Sequence, residues 1–194
     1  RVVFRSKIKD VDLRIINAYG PQETEIGKDN LFQFWQEQNC KILIQMDANS
    51  HLGSDIIKGD PNAQNMNGKF CADFLKNNSS LALINGTEKC KGTVTRSRNK
   101  SSKEESAILD FVIVSHFLRE TLEFMEIDED RSFQFSSYVK GKPKNSDHFT
   151  ELLEFNIKFK KCSLVRKYVF LSEKSNFCII LSGCLGKPKN KFFF

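Results

Sequence analysis

The chain has 194 residues, 40% hydrophobic and 28% charged, which suits one folded domain with a real core. No run of about 18 apolar residues is present to cross a membrane, and the first residues lack signal-peptide order, so membrane insertion and export are not expected and an intracellular location is. The formal net charge of +6 points towards polyanions, but from Lys158 onward nine Lys/Arg face a single acid, Glu173, which leaves the preceding body at −2.

Val11, Leu13 and Ile15 alternate with Asp12 and Arg14, a half-buried strand that continues through Ile16-Asn17-Ala18-Tyr19 and stops at Gly20-Pro21. Asp29 and Asn30 can cap a helix with Leu31, Phe34, Trp35 and Gln38 near one face, and Trp35 reads as core. Lys41 to Met46 (KILIQM) is a short buried strand, and Asn67 to Asn77 a second helix with Phe70 and Phe74 on one face. Strands are then expected at Leu81 to Ile84, Val94 to Arg96, Ala107 to Ser115, Leu122 to Asp128 and Leu152 to Phe159. Helices mixed with strands that follow one another directly predict an α/β chain of the α+β kind, with two packed mixed sheets flanked by helices. Beyond Ile157 the texture turns basic and serine-containing, so the domain is expected to occupy residues 1–158, with 159–194 a basic tail outside it. Six cysteines (Cys40, Cys71, Cys90, Cys162, Cys178, Cys184) form no CxxC pair and read as reduced thiols, not as a zinc site.

The chemistry is expected in polar residues at strand ends. Asp47 and Asn49 follow directly on the strand from Lys41 to Met46, which delivers a carboxylate and an amide to a loop; an ordinary Asp-x-Asn turn would look the same. Asp110 interrupts an apolar run, and alternation places it on the face of Ile108, Val112 and Val114. A carboxylate buried there needs a partner. His148 in Ser146-Asp147-His148 is the candidate, able to hold a proton if Asp110 orients its other ring nitrogen. His51 and His116 have no acidic neighbours at ligand spacing and read as loop or surface residues.

Asn17-Ala18-Tyr19-Gly20-Pro21, Met46-Asp47-Ala48-Asn49, Thr93-Val94-Thr95-Arg96, Leu109-Asp110-Phe111-Val112 and Ser146-Asp147-His148 stand in the order and rough spacing of the endonuclease/exonuclease/phosphatase (DNase I-like) superfamily. The pattern resembles most the apurinic-type endonuclease domains of non-LTR retrotransposons, whose blocks read NxYxP, GDxN, TxxR, LDxV and SDH. This resemblance implies a four-layer sandwich of two β-sheets between helices, with the site in loops at one rim. By position, Asp47 would orient or activate the attacking water, Asn49 would help hold water and phosphate, and Tyr19 would touch the phosphate. Asp147 would contribute to a metal site, His148 oriented by Asp110 would stabilise the transition state, and Arg96 would contact phosphate or DNA. Mg²⁺, with Mn²⁺ as an alternative, suits so oxygen-rich a set. The implied partner is DNA and the implied place of action the nucleus.

The resemblance also implies that the family's first-strand Asn and its principal metal-binding Glu lie ahead of Arg1, so an N-terminally truncated, incomplete sandwich is expected. Three readings follow. They are a DNA-nicking endonuclease, a catalytically inactive retroelement-derived fragment with at most weak nucleic-acid binding, and a phosphodiesterase acting on lipid or inositol phosphates.

Overall fold

A computed structural model of the chain describes residues 2–8, 11–20, 41–100, 103–132, 136–139, 142–156 and 190–193. In chain order its elements are β1 (Val2–Ile8), β2 (Val11–Tyr19), β3 (Lys41–Asp47), α1 (Met66–Asn77), β4 (Leu81–Leu83), β5 (Cys90–Lys91), β6 (Arg96–Lys100), β7 (Lys103–Ala107), β8 (Asp110–Ser115), α2 (His116–Thr121), β9 (Leu122–Ile127), β10 (Ser136–Val139), β11 (Lys142–Asn145), β12 (Glu151–Phe155) and β13 (Asn190–Phe193). The helix expected near Asp29 to Gln38 lies outside the described residues.

Five strands form a sheet in the order β1-β2-β3-β8-β4, mixed because β2 and β3 run parallel while the other neighbours are antiparallel. A four-stranded sheet, β13-β12-β9-β5, is mixed as well, with β5 parallel to β9. Alternation along the strands sends the large sheet's apolar residues to two faces. On one, Leu13, Ile15, Leu43, Val112 and Val114 meet Met125, Ile127, Leu153 and Phe155 of the small sheet. On the other, Ile42, Ile44, Met46, Phe111 and Ile113 pack on Cys71 and Phe74 of α1 and on Leu52 and Ile57 of the loop before it. The layering is helix, sheet, sheet, an α+β sandwich of two mixed sheets as expected. Among the described residues no helix covers the outer face of the small sheet.

Local departures from expectation have local causes. The strand expected from Val94 begins only at Arg96, because Glu129 Oε1 accepts the Thr93 and Val94 amides at 2.7 and 2.8 Å and holds them off a ladder. The run from Ala107 to Ser115 splits at Ile108-Leu109 into the end of β7 and the start of β8. Ile108 therefore joins the α1-side cluster, while Val112 and Val114 keep the inter-sheet face that alternation gave them. β6 and β7 pair as a hairpin made of RSRNK and KEESA, polar sequences with no apolar alternation to announce a strand. The tail's Asn190–Phe193 pairs antiparallel with β12.

The loop that follows β3 is fastened to α1. Asn65 caps the helix by accepting the Gly68 amide at 2.8 Å, and the same oxygen accepts the His51 amide at 3.2 Å. A Cβ on Gly68 would lie 1.7 Å from the His51 carbonyl oxygen, so helix and loop touch through bare backbone. Replacing an exposed helical glycine by alanine normally gains about 1 kcal/mol. Gly68→Ala is expected to do the reverse, lowering the thermal midpoint by at least about 4 °C for a chain of this size; a midpoint unchanged or raised in a melting experiment would contradict the contact.

Candidate active site

β2 and β3 end side by side and β8 begins next to them, with Tyr19 beside Asp47 and Asp47 opposite Asp110 in the register. One rim of the large sheet thus receives all three. The turn after β3 fixes what each side chain can do. Asn49 donates its backbone N–H to Asp47 Oδ1 at 3.1 Å and adopts a left-handed φ of 44°, which asparagine tolerates. Its side-chain nitrogen donates to the Gly20 carbonyl at 2.7 Å, and Gly20 N–H donates to the Asp47 carbonyl at 2.7 Å. These bonds staple the ends of β2 and β3 together. A Cβ at Gly20 would fall 2.4 Å from the Ala48 carbonyl oxygen, so only glycine passes there. The Asp-x-Asn turn does form, and it commits Asp47 Oδ1 while leaving Oδ2 to the rim.

At the start of β8, the fully buried Thr95 accepts the Leu109 and Asp110 amides on its hydroxyl at 2.9 and 3.0 Å. Thr95 carbonyl also accepts the Phe149 amide at 2.7 Å, and Ser97 donates to the Asp147 carbonyl at 2.9 Å. Residues 95–97 are therefore a strap between β8 and the Ser-Asp-His segment. It brings His148 Nδ1 to 2.8 Å from Asp110 Oδ2 and His148 Nε2 to 3.9 Å from Asp47 Oδ2. Next to them, Arg96 Nε donates to Asp147 Oδ2 at 2.8 Å. Tyr19 stands at the same rim and is 61% exposed, open to anything that approaches.

Charge crowding shows in the protonation equilibria. Burial, and after it the charge of Asp110, pushes Asp47 up to about 6 from an ordinary 3.8. Burial on its own would depress His148, but the hydrogen bond to Asp110 and the charges of Asp110, Asp47 and Asp147 outweigh it and raise the imidazole above its usual value. Asp147 is lowered, because its bond and ion pair with Arg96 overcome the opposing effect of burial. Glu151, the first residue of β12, is pushed up to about 8 by complete burial and then by Asp110.

Asp47, Asp110 and His148 each offer a ligand atom, and these atoms lie within 4.8 Å of one another. Burial and after it the charge of Asp110 disfavour an ionised Asp47, a cost that a divalent cation would offset, so the residues fit one. Asp147, the position expected to bind metal, has one oxygen on Arg96. Beside it opens a cleft of about 500 Å³ bordered by Arg98, Glu129, Arg131 and Phe149. Arg131 is held there by bonds to the Ser146 and Ser97 carbonyls at 2.9 and 3.4 Å and by its stacking over Phe149.

The structure thus gathers Tyr19, Asp47, Asn49, Arg96, Asp110, Asp147 and His148 at one rim, while His51 is fastened in the loop before α1 and His116 opens α2 on the surface. Sequence reasoning missed Thr95, Asn85 and Glu151. For Glu151 the signal existed: it heads an apolar strand, ELLEF, as Asp110 heads DFVIV.

No protein-family model and no curated protein matches the sequence. Solved structures do. The fold is DNase I-like, as the likeness to one solved domain shows. That domain is the endonuclease domain of TRAS1, a telomere-specific non-LTR retrotransposon, matched with a TM-score of 0.56 at 16% identity over 82% of this chain and 64% of that one. The chain therefore spans 64% of the length of that relative. A mannosyl-6-phosphatase and an endonuclease/exonuclease/phosphatase family protein, both of Bacteroides thetaiotaomicron, match with TM-scores of 0.40 and 0.41 at 15% and 16% identity. They cover 73% and 76% of this chain and 50% and 51% of theirs.

The raised Asp47 has a consequence for stability. A carboxyl that binds its proton more tightly when folded favours the native state at low pH, and that advantage is lost as pH rises through about 6. In metal-free protein, Asp47→Asn is expected to raise the thermal midpoint at pH 8 by about 2–4 °C, the effect of roughly 1 kcal/mol in a chain this long. The gain should vanish below 3.8, where the carboxyl is protonated in both states; melting curves that show the mutant less stable at pH 8 would contradict the crowding.

Proposed function

We propose that this chain is a metal-dependent phosphodiesterase of the retroelement type, which nicks DNA. The observation that carries the reading is His148, fixed through Nδ1 by Asp110 with Nε2 turned towards Asp47 across 3.9 Å. The bond to Asp110 and the surrounding carboxylates outweigh burial and favour the protonated imidazole more than in free histidine. Nε2–H can then donate to a non-bridging phosphate oxygen and stabilise charge that builds up as the phosphorus becomes five-coordinate. Asp47, poised at about 6, is ionised at neutral pH yet basic enough to orient the attacking water and take its proton.

The other rim residues supply placement. Asn49 has spent its amide nitrogen on Gly20 and keeps its side-chain oxygen for the water. Tyr19 would meet the phosphate, and Arg96, locked beside His148 by Asp147, would steady the strand. Asp47 and Asp110, whose oxygens lie in the cluster with His148, would hold Mg²⁺ or Mn²⁺, with Asp147 contributing from beside Arg96; the ion when bound supplies Lewis-acid stabilisation of the phosphate and leaving oxygen. Arg98 and Arg131 at the adjacent cleft offer cations to a polyanionic backbone. DNA fits these cations, and with them the likeness to a retrotransposon endonuclease; the nucleus would be the place of action.

The test is conversion of supercoiled plasmid to open circles in Mg²⁺ and in EDTA. Nicking should require the metal and fall by at least about 100-fold in His148→Ala, the usual cost of removing one transition-state donor. A folded protein that leaves the plasmid intact, or a His148→Ala variant as active as the parent, would refute the proposal.

A further inference from the structure

Directly beneath the rim lies a second polar row. Asn17 stands two residues before Tyr19, Gln45 two before Asp47 and Val112 two after Asp110, and Gln45 is the register partner of Asn17 on one side and of Val112 on the other. With a period of two, they share the face of the residues above them. Gln45 Nε2 donates to Glu151 Oε2 at 3.3 Å, and Asn17 Nδ2 donates to Gln45 Oε1 at 3.3 Å. On the far side Asn85, only 3% exposed, donates to the Asp110 carbonyl at 3.1 Å and accepts the Val112 amide at 2.8 Å. Its amide also leans on the Glu151 carboxyl group, without closing a regular hydrogen bond to Oε1, which is buried and has no partner.

Glu151 comes from the small sheet, and all five residues of its strand are buried. It reaches the large sheet at the level just below Asp47 and Asp110. Apolar side chains in place of Glu151 and its partner would fill this space without an unpartnered buried oxygen, and replacing both members of a buried polar pair is often neutral or stabilising. Stability is therefore a poor reason for an acid with one oxygen unpartnered.

We propose that Glu151 is a positioning residue of the site: by gripping Gln45 and backing Asn85, which itself holds Asp110 and Val112, it fixes the ends of β3 and β8 that aim Asp47 and Asp110 at His148. The inference rests on the phosphodiesterase reading of that rim. Because burial and the neighbouring Asp110 hold Glu151 in its neutral form at pH 7, glutamine is its isosteric stand-in, and leucine removes the grip while filling the space.

The experiment uses the full chain and three measurements: the melting midpoint, the far-downfield proton resonance of the His148 ring N–H bonded to Asp110, assigned by its loss in His148→Ala, and kcat and KM for nicking. Glu151→Leu is expected to stay folded with a midpoint lowered by no more than the one Gln45 bond it releases, to shift or lose the ring resonance, and to lower kcat about 10-fold to 100-fold with KM unchanged, the cost of slight misplacement. Glu151→Gln should rescue both resonance and kcat. If the leucine variant does not fold, Gln45→Leu releases the grip from the other side and is expected to give the same signature. A folded leucine variant at either position that keeps the resonance and kcat overturns the proposal, as does a parent chain with no such resonance. If the resonance responds as described while no variant, the parent included, nicks DNA, the positioning role stands and the phosphodiesterase reading falls.

Discussion

The hydrogen bond between Asp110 and His148 is the constraint around which the rest is arranged. β8 is buried along Asp110 to Val114, and burying a carboxylate without a partner costs several kcal/mol. Neighbours such as Val112, Ile113 and Val114, fully buried, contribute roughly 1.5–3 kcal/mol each. They can carry a charge at the strand's head only if its remaining needs are met. Thr95 meets the need of the Asp110 amide, Asn85 that of its carbonyl and His148 that of its carboxylate, so each polar group of one residue has a partner from a different segment. Three segments far apart in sequence are thereby brought to one point.

That arrangement stores electrostatic cost at the rim. Asp47, Asp110 and Asp147 surround one imidazole and one guanidinium, and the raised Asp47 and Glu151 show that the carboxylates are not fully compensated. A fold optimised for stability alone would dilute them. Sites that must meet a cation or a phosphate commonly carry this kind of strain, and stabilising substitutions there tend to cost activity. The apolar faces on either side of β3 and β8 are what make it tolerable.

Much of this was legible in the sequence where desolvation forces an answer. KILIQM had to be a buried strand, and Asp110 inside an apolar run had to find a partner, which the Ser-Asp-His segment could supply. The order of the motif blocks pointed to a DNase I-like sandwich, and the likeness to a solved domain bears that fold out. Other features were hidden for physical reasons. β6 and β7 pair through their backbones and through polar contacts such as Ser97 with Glu104 and Arg98 with Glu105, so no apolar periodicity marks them. Ile108 changes face because the strand breaks at Leu109, where side-chain bonds from Thr95 replace the ladder, and a period-two reading assumes no break. Asn85 acts through its side chain as a surrogate strand for Asp110 and Val112, which a turn sequence such as Asn85-Gly86 does not reveal. Glu151 was visible by the same logic as Asp110, yet its partners Gln45 and Asn85 lie 106 and 66 residues away and only the register brings them together.

The central claim is that Asp110 holds His148 as a proton-bearing imidazolium at the rim, and the most direct measurement is the NMR titration of the His148 ring in the parent chain and in Asp110→Asn. With Asp110 present, the ring should titrate above 6.5. Without the carboxylate, burial is left as the dominant influence, and the value should fall below that of the parent. A His148 that titrates at or below 6.5 in the parent, or that does not move when Asp110 is neutralised, would contradict the account.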